Sequence, residues 1–182
     1  MSETLTPRDV LDFWFAAGKE KWFVKDETFD RDITDRFQDA HEAAKDGAYD
    51  GWKESTEGCL ALIILLDQFP RNMYRGSAKA FAADPKALAL AKEVVAQGRD
   101  VEVPADARVW LYLPFEHSEE RTDQDRSVEL FERLGNEETA KWARVHADVI
   151  RRFGRFPHRN KVLERESTAD EIEFLEGGGF GG

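Results

Sequence analysis

The chain has 182 residues, 41% hydrophobic and 35% charged, with a formal net charge of −11. That length suffices for one domain with a sizeable core, and the composition fits a helix-rich globule rather than a disordered chain. The acidity argues against a nucleic-acid binder working through overall charge, though a local basic island can still attract an anion.

Cys59 is the one cysteine. No intrachain disulfide can form, so a reducing cytoplasm is the expected location, and the thiol beside an apolar run reads as a small buried hydrophobe rather than a nucleophile. Met1-Ser2-Glu3-Thr4 lacks the basic start and apolar stretch of a secretory leader. The longest apolar run, 60–66, is too short to span a bilayer, so no membrane partner is expected.

Helical signals follow one another along the chain. Thr6-Pro7-Arg8-Asp9 offers an N-cap with proline at the first helical position, and Val10, Leu11, Trp14 and Phe15 form an apolar stripe behind it. Asp26 caps a second helix carrying Phe29, Ile33 and Phe37 at four-residue spacing. A third starts at Ser55 or Thr56 and is apolar all round from Leu60 to Leu66, the mark of a central, buried helix. Ser77 opens a short turn, and Asp84-Pro85 starts a helix with Leu88, Ala91 and Val95 inward. Pro104 begins the next helix, which Pro114 is expected to interrupt. Arg126–Leu134 and Glu137–Phe153 read as a helical pair closed by Gly135 and Gly154, and Thr168-Ala169-Asp170-Glu171 is a capping box for a last helix. Val101-Glu102-Val103 alternates but is too short to count as a strand. The expectation is an all-α single domain over 1–176, with about eight or nine helices arranged as a solenoid-like array of antiparallel pairs or an irregular bundle. The glycine-rich tail 177–182 is expected to be disordered.

One phrase occurs twice. Gln68-Phe69-Pro70-Arg71-Asn72 follows the apolar run, and Arg155-Phe156-Pro157-His158-Arg159-Asn160 follows the penultimate helix. Each reads as a helix end stopped by proline. Between them stands Pro114-Phe115-Glu116-His117. Asp67, at the end of the most buried helix, needs a cation such as Arg71 or Arg159. His117 and His158 are the candidates for moving protons, with Glu116 to orient or pair. Arg155 and Arg159 belong to a basic island whose guanidinium forks suit carboxylate or phosphate. His41 and His146 lie four residues from aromatic neighbours and read as packed core histidines. No two-histidine metal motif, phosphate-binding glycine loop or dinucleotide fingerprint is present, so no metal or cofactor is expected.

The segments Val10-Leu11-Asp12-Phe13-Trp14-Phe15, Leu65-Leu66-Asp67-Gln68-Phe69-Pro70-Arg71-Asn72-Met73-Tyr74-Arg75-Gly76, Ala80-Phe81-Ala82-Ala83-Asp84, Leu113-Pro114-Phe115-Glu116-His117-Ser118-Glu119 and Arg152-Phe153-Gly154-Arg155-Phe156-Pro157-His158-Arg159-Asn160 occur in that order. Together they resemble the mainly bacterial family of domain of unknown function 924, over about Val10 to Glu176. The resemblance implies an all-helical fold similar to tetratricopeptide repeats and brings no established activity.

Three readings stay open. A polar pocket of Asp67, Arg71, Asn72, Glu116, His117, Arg155, His158, Arg159 and Asn160 binds a small anionic ligand, with or without chemistry. Alternatively, the helical array is an interaction module whose arginines clasp a peptide. In the third reading the motif residues are internal clamps.

Overall fold

The computed structural model describes residues 5–182. Met1–Thr4, on which the leader reading rests, lie outside the described residues. Every regular element among the described residues is helical: α1 (Pro7–Ala17), α2 (Lys19–Trp22), α3 (Glu27–Lys45), α4 (Thr56–Ile63), α5 (Phe69–Met73), α6 (Asp84–Ala96), α7 (Ala105–Glu116), α8 (Arg121–Leu134), α9 (Glu137–Phe153) and α10 (Ala169–Glu176), with short 3-10 turns between them. None is long and apolar enough to cross a membrane. By its contacts the chain forms two compact units, Met1–Leu111 and Tyr112–Gly182, with the boundary inside α7.

The caps read from the sequence form. Thr6 accepts from the Asp9 N–H while Asp9 reaches back to Thr6, and Thr168 and Glu171 do the same at α10. Each box satisfies donors that a helix start leaves orphaned. Asp26 and Ser55 likewise cap α3 and α4, and Asn136, which the sequence reading passed over, caps α9. Gly154 ends α9 at φ 70°, a left-handed conformation that costs glycine nothing, and its N–H closes on the Ile150 carbonyl.

In the first unit, α4 is buried except at Glu57; α1 and α6 pack against it, and α3 packs against the residues that follow it, 64–73. The face of α6 is rotated by one position from the expected one: Ala87, Leu90, Ala91 and Val94 point inward, whereas Leu88 and Val95 are half-buried. An alanine-rich stripe carries a weak periodic signal, so the larger Leu88 and Val95 misled the pattern. Trp110 meets Trp14 and Trp22 edge to face, with centroids 5.0 and 4.8 Å away, and Trp14 and Trp22 stack at 6.0 Å. Phe37 and Phe69 add a second aromatic contact at 4.7 Å.

Two prolines behave differently from expectation. Pro70 does not stop its helix. The backbone widens into a π-turn over Ile64–Gln68 and resumes as α5 with Pro70 in the first turn. A proline in a regular α-helix clashes with the carbonyl four residues back, and a widened turn relieves that clash. The Phe69 N–H reaches back to Ile64 O, which releases the carbonyl of Leu65. His41 Nδ1 donates to that carbonyl at 2.9 Å, and Arg71 donates to the Asp67 carbonyl at 2.6 Å. Pro114 likewise does not interrupt α7, which continues to Glu116 with His117 N–H bonded to Leu113 O at 2.9 Å.

In the second unit α8 and α9 pack as an antiparallel pair around Leu130, Phe131, Ala140, Ala143 and Ile150. Phe153, Phe156, Phe174 and Phe180 close a second apolar cluster with Val149 and Ile150. The tail 177–182 therefore holds a seated ring at Phe180, a contact the glycine content around it concealed.

Candidate functional site

The sequence-derived residues fall into both units: Asp67, Arg71 and Asn72 in the first, the remaining six in the second. In the first unit Asp67 is fully buried on the π-turn and accepts from the Gln68 amide. Arg71 grips Asp84 with both terminal nitrogens, at 2.9 and 3.0 Å, and lies 3.3 Å from an Asp67 oxygen. Burial alone would lower the Arg71 pKa, but the two carboxylates more than offset this and hold it raised. Asn72 donates to Asp30 at 2.8 Å, beside the Arg75–Asp30 pair. His41 is a buried core histidine, and burial lowers its pKa. Cys59 is also buried, which raises its pKa and removes it as a nucleophile at neutral pH.

In the second unit the turn 156–160 is pinned by two carboxylates. Glu171, 2% exposed, accepts from Arg155 at 2.6 and 2.8 Å, from the Asn160 amide at 3.2 Å and from the Thr168 N–H at 2.8 Å. The Arg155 bonds do most to bring its pKa down to about 2. Glu119 accepts from the Phe156 N–H at 2.8 Å and from both terminal nitrogens of Arg165, at 2.7 and 3.0 Å. Burial pushes its carboxyl up, and the Arg165 and Phe156 bonds outweigh this and lower it. Arg155 and Asn160 are thus committed to the architecture of the turn.

The remaining bases gather around His146. Its Nδ1 donates to the Trp142 carbonyl at 2.9 Å and stands 3.3 Å from Glu116, which is 5% exposed. A carbonyl only accepts, so the proton is on Nδ1 and Nε2 keeps the basic lone pair. Burial, reinforced by the positive field of His117, Arg159 and His158, pushes the His146 pKa down to about 3. At neutral pH the imidazole is therefore uncharged and its contact with Glu116 is dipolar rather than an ion pair. His146 and His158 each face Phe156, with centroids 5.6 Å away, and the Arg159 guanidinium stacks on Phe156 at 4.5 Å. His146, His158 and Arg159 thus meet around Phe156, with Glu116 beside His146 and Glu119 on the Phe156 N–H.

Sequence reasoning missed His146, Glu119, Glu171 and Arg165. His146 was discounted because Trp142 and Ile150 share its face. The usable signal was that a histidine two turns before a basic helix end lies where that end folds back. Among the described residues no group of histidine, cysteine and carboxylate side chains is arranged to hold a metal ion.

A family model for bacterial proteins of unknown function (DUF924) matches residues 10–179. The chain is also similar to the solved structure of a protein of unknown function from Agrobacterium tumefaciens: 48% identity, 94% of this chain and 97% of that one covered, and a TM-score of 0.90. No curated protein matches the chain. With the family model matched over nearly its whole length, the chain belongs to the bacterial DUF924 family.

Proposed function

We propose that the second unit binds a small anionic ligand at the face formed by Glu116, His117, His146, His158 and Arg159. The observation that carries this reading is the convergence of His146, His158 and the Arg159 guanidinium on the Phe156 ring, at 5.6, 5.6 and 4.5 Å, with Glu116 3.3 Å from His146. The Arg159 guanidinium suits an anion, and the Nε2 lone pair of His146 offers an acceptor for a proton that the ligand carries. Arg71, Asn72, Arg155 and Asn160 act as clamps in this reading, on the strength of their carboxylate partners.

A second reading keeps the tetratricopeptide-like array and a peptide ligand. It is favoured by the antiparallel α8–α9 pair joined through a tight turn at Gly135-Asn136. We place the protein in the cytoplasm on its single cysteine.

A thermal-shift panel of phosphates, carboxylates and sulfates tests the proposal. An anion at a hundredfold excess over its Kd stabilises the native state by roughly 2.7 kcal/mol. Arg159→Ala removes that response, while Arg8→Ala, on a side chain 82% exposed, keeps it. Equal responses from native protein and Arg159→Ala reject the anion site.

A further inference from the structure

Phe180 stands in a slot walled by four rings. Its centroid lies 4.3 Å from His146, 5.3 Å from His158, 6.4 Å from Phe156 and 6.4 Å from Trp142. The walls come from α9 and the turn after it, and the ring is delivered from outside both, by the segment beyond α10. Two of the walls are the histidines of the proposed anion site. The ring and the basic face are therefore adjacent.

The delivery is built. After α10 the Gly177, Gly178 and Gly179 N–H groups bond back to Glu173, Leu175 and Phe174 carbonyls, at 2.9, 3.3 and 2.9 Å. Gly179 passes so close to Phe174 that a Cβ there would meet its carbonyl and ring at 2.5 Å. Only glycine permits that turn. Gly182 then lies on the His158 ring, where a Cβ would stand 2.8 Å from the imidazole. The hold of the segment past Gly179 is one phenyl side chain among glycines. A single ring carries little binding energy, and a glycine-rich strand gains much conformational freedom on release.

We infer that the slot of Trp142, His146, Phe156 and His158 is an aryl-binding subsite, filled here by Phe180 as an intramolecular plug, and that the ligand it admits is an aromatic anion whose ring displaces Phe180. The ring cage selects an aryl group through one edge-to-face contact, with His158, and three tilted ones, and the neighbouring bases select its charge. The charge half rests on the anion-binding reading above; the ring half stands on the slot itself. Phe180 lies one residue beyond the span shared with the family, so the plug is argued for this chain alone.

The experiment titrates phenyl phosphate, inorganic phosphate and benzyl alcohol into native protein, Phe180→Ala and Gly179→Ala, with calorimetry for affinity and NMR for the contact between Phe180 and His146. Gly179→Ala releases the plug without altering the slot, and unchanged circular dichroism confirms that both variants fold. Phenyl phosphate should erase the Phe180–His146 contact in native protein and bind both variants about tenfold more tightly, the value of one aromatic contact. Inorganic phosphate should bind all three alike. Equal phenyl phosphate affinity across the three proteins, or a Phe180–His146 contact surviving saturation, overturns the inference while leaving the anion site standing. If neither phosphate binds, the anion reading fails and benzyl alcohol decides the ring slot: binding to the variants sustains it, and binding to none overturns it.

Discussion

Glu171→Gln isolates the most heavily bonded carboxylate of the second unit. The native side chain accepts from two Arg155 nitrogens, from Asn160 and from the Thr168 N–H. Glutamine keeps the shape, yet it turns one acceptor into a donor facing Arg155 and deletes the charge. Its pKa falls from the ordinary 4.5 to about 2 in the fold. A lowered carboxylate pKa adds stability that is fully present above 4.5 and disappears as pH falls through about 2, because the unfolded chain takes up the proton first. The full shift corresponds to about 3 kcal/mol. Arg155 is 28% exposed in its side chain, so solvent screening trims the linkage to about 1–2 kcal/mol. At pH 7 the variant should lose about 2–5 kcal/mol, the linkage plus the cost of an unmatched buried donor. Urea unfolding at intervals from pH 7 to pH 2 measures it. The native curve should fall faster than the variant curve between pH 4.5 and 2, and the gap should narrow toward the acid end. Parallel curves over that range would refute the assignment of Glu171 as the charged hub.

His41→Phe removes the donor to the Leu65 carbonyl and should cost about 1–3 kcal/mol at pH 7, read by urea unfolding. Because burial lowers the His41 pKa, the native fold loses stability as pH drops below 6.5, and the variant should lose that part of its acid sensitivity. Gly58→Ala should cost about 1–3 kcal/mol in the same assay, since its Cβ would stand 2.0 Å from the Trp52 carbonyl, a backbone atom that cannot step aside.

The helices were legible wherever their ends carry chemistry: Thr6, Asp26 and Thr168 each cap the helix that the sequence assigns to them. The buried stripe Phe29, Ile33 and Phe37 was equally plain because large side chains repeat at helical spacing. The face of α6 was less so, because its inward residues include two alanines. The candidate site was legible in part. Local motifs marked Glu116 and the 155–160 turn, but no pattern in sequence links Glu119 to Arg165 across 46 positions, or Arg155 to Glu171 across 16. Such pairs are set by where the chain returns, and charge alone does not choose among thirty-seven acids for each arginine.

The repeated Phe-Pro phrase shows how the same local cue resolves in two ways. At Pro157 the chain had already been released by the left-handed Gly154, so the proline opens a short 3-10 turn at no cost to a helix. At Pro70 no glycine precedes, and the helix entering it is buried on every side by Leu60–Leu66. Ending it there would strip backbone hydrogen bonds inside the core, where each unpaired group costs about 1–3 kcal/mol. Widening to a π-turn keeps the apolar packing and exposes only carbonyls for which His41 and Arg71 already supply donors. Proline thus terminates a helix only where the alternative partners for its lost bonds are cheaper outside the helix than inside it. At Pro70 the His41 and Arg71 side chains tip that balance toward continuation.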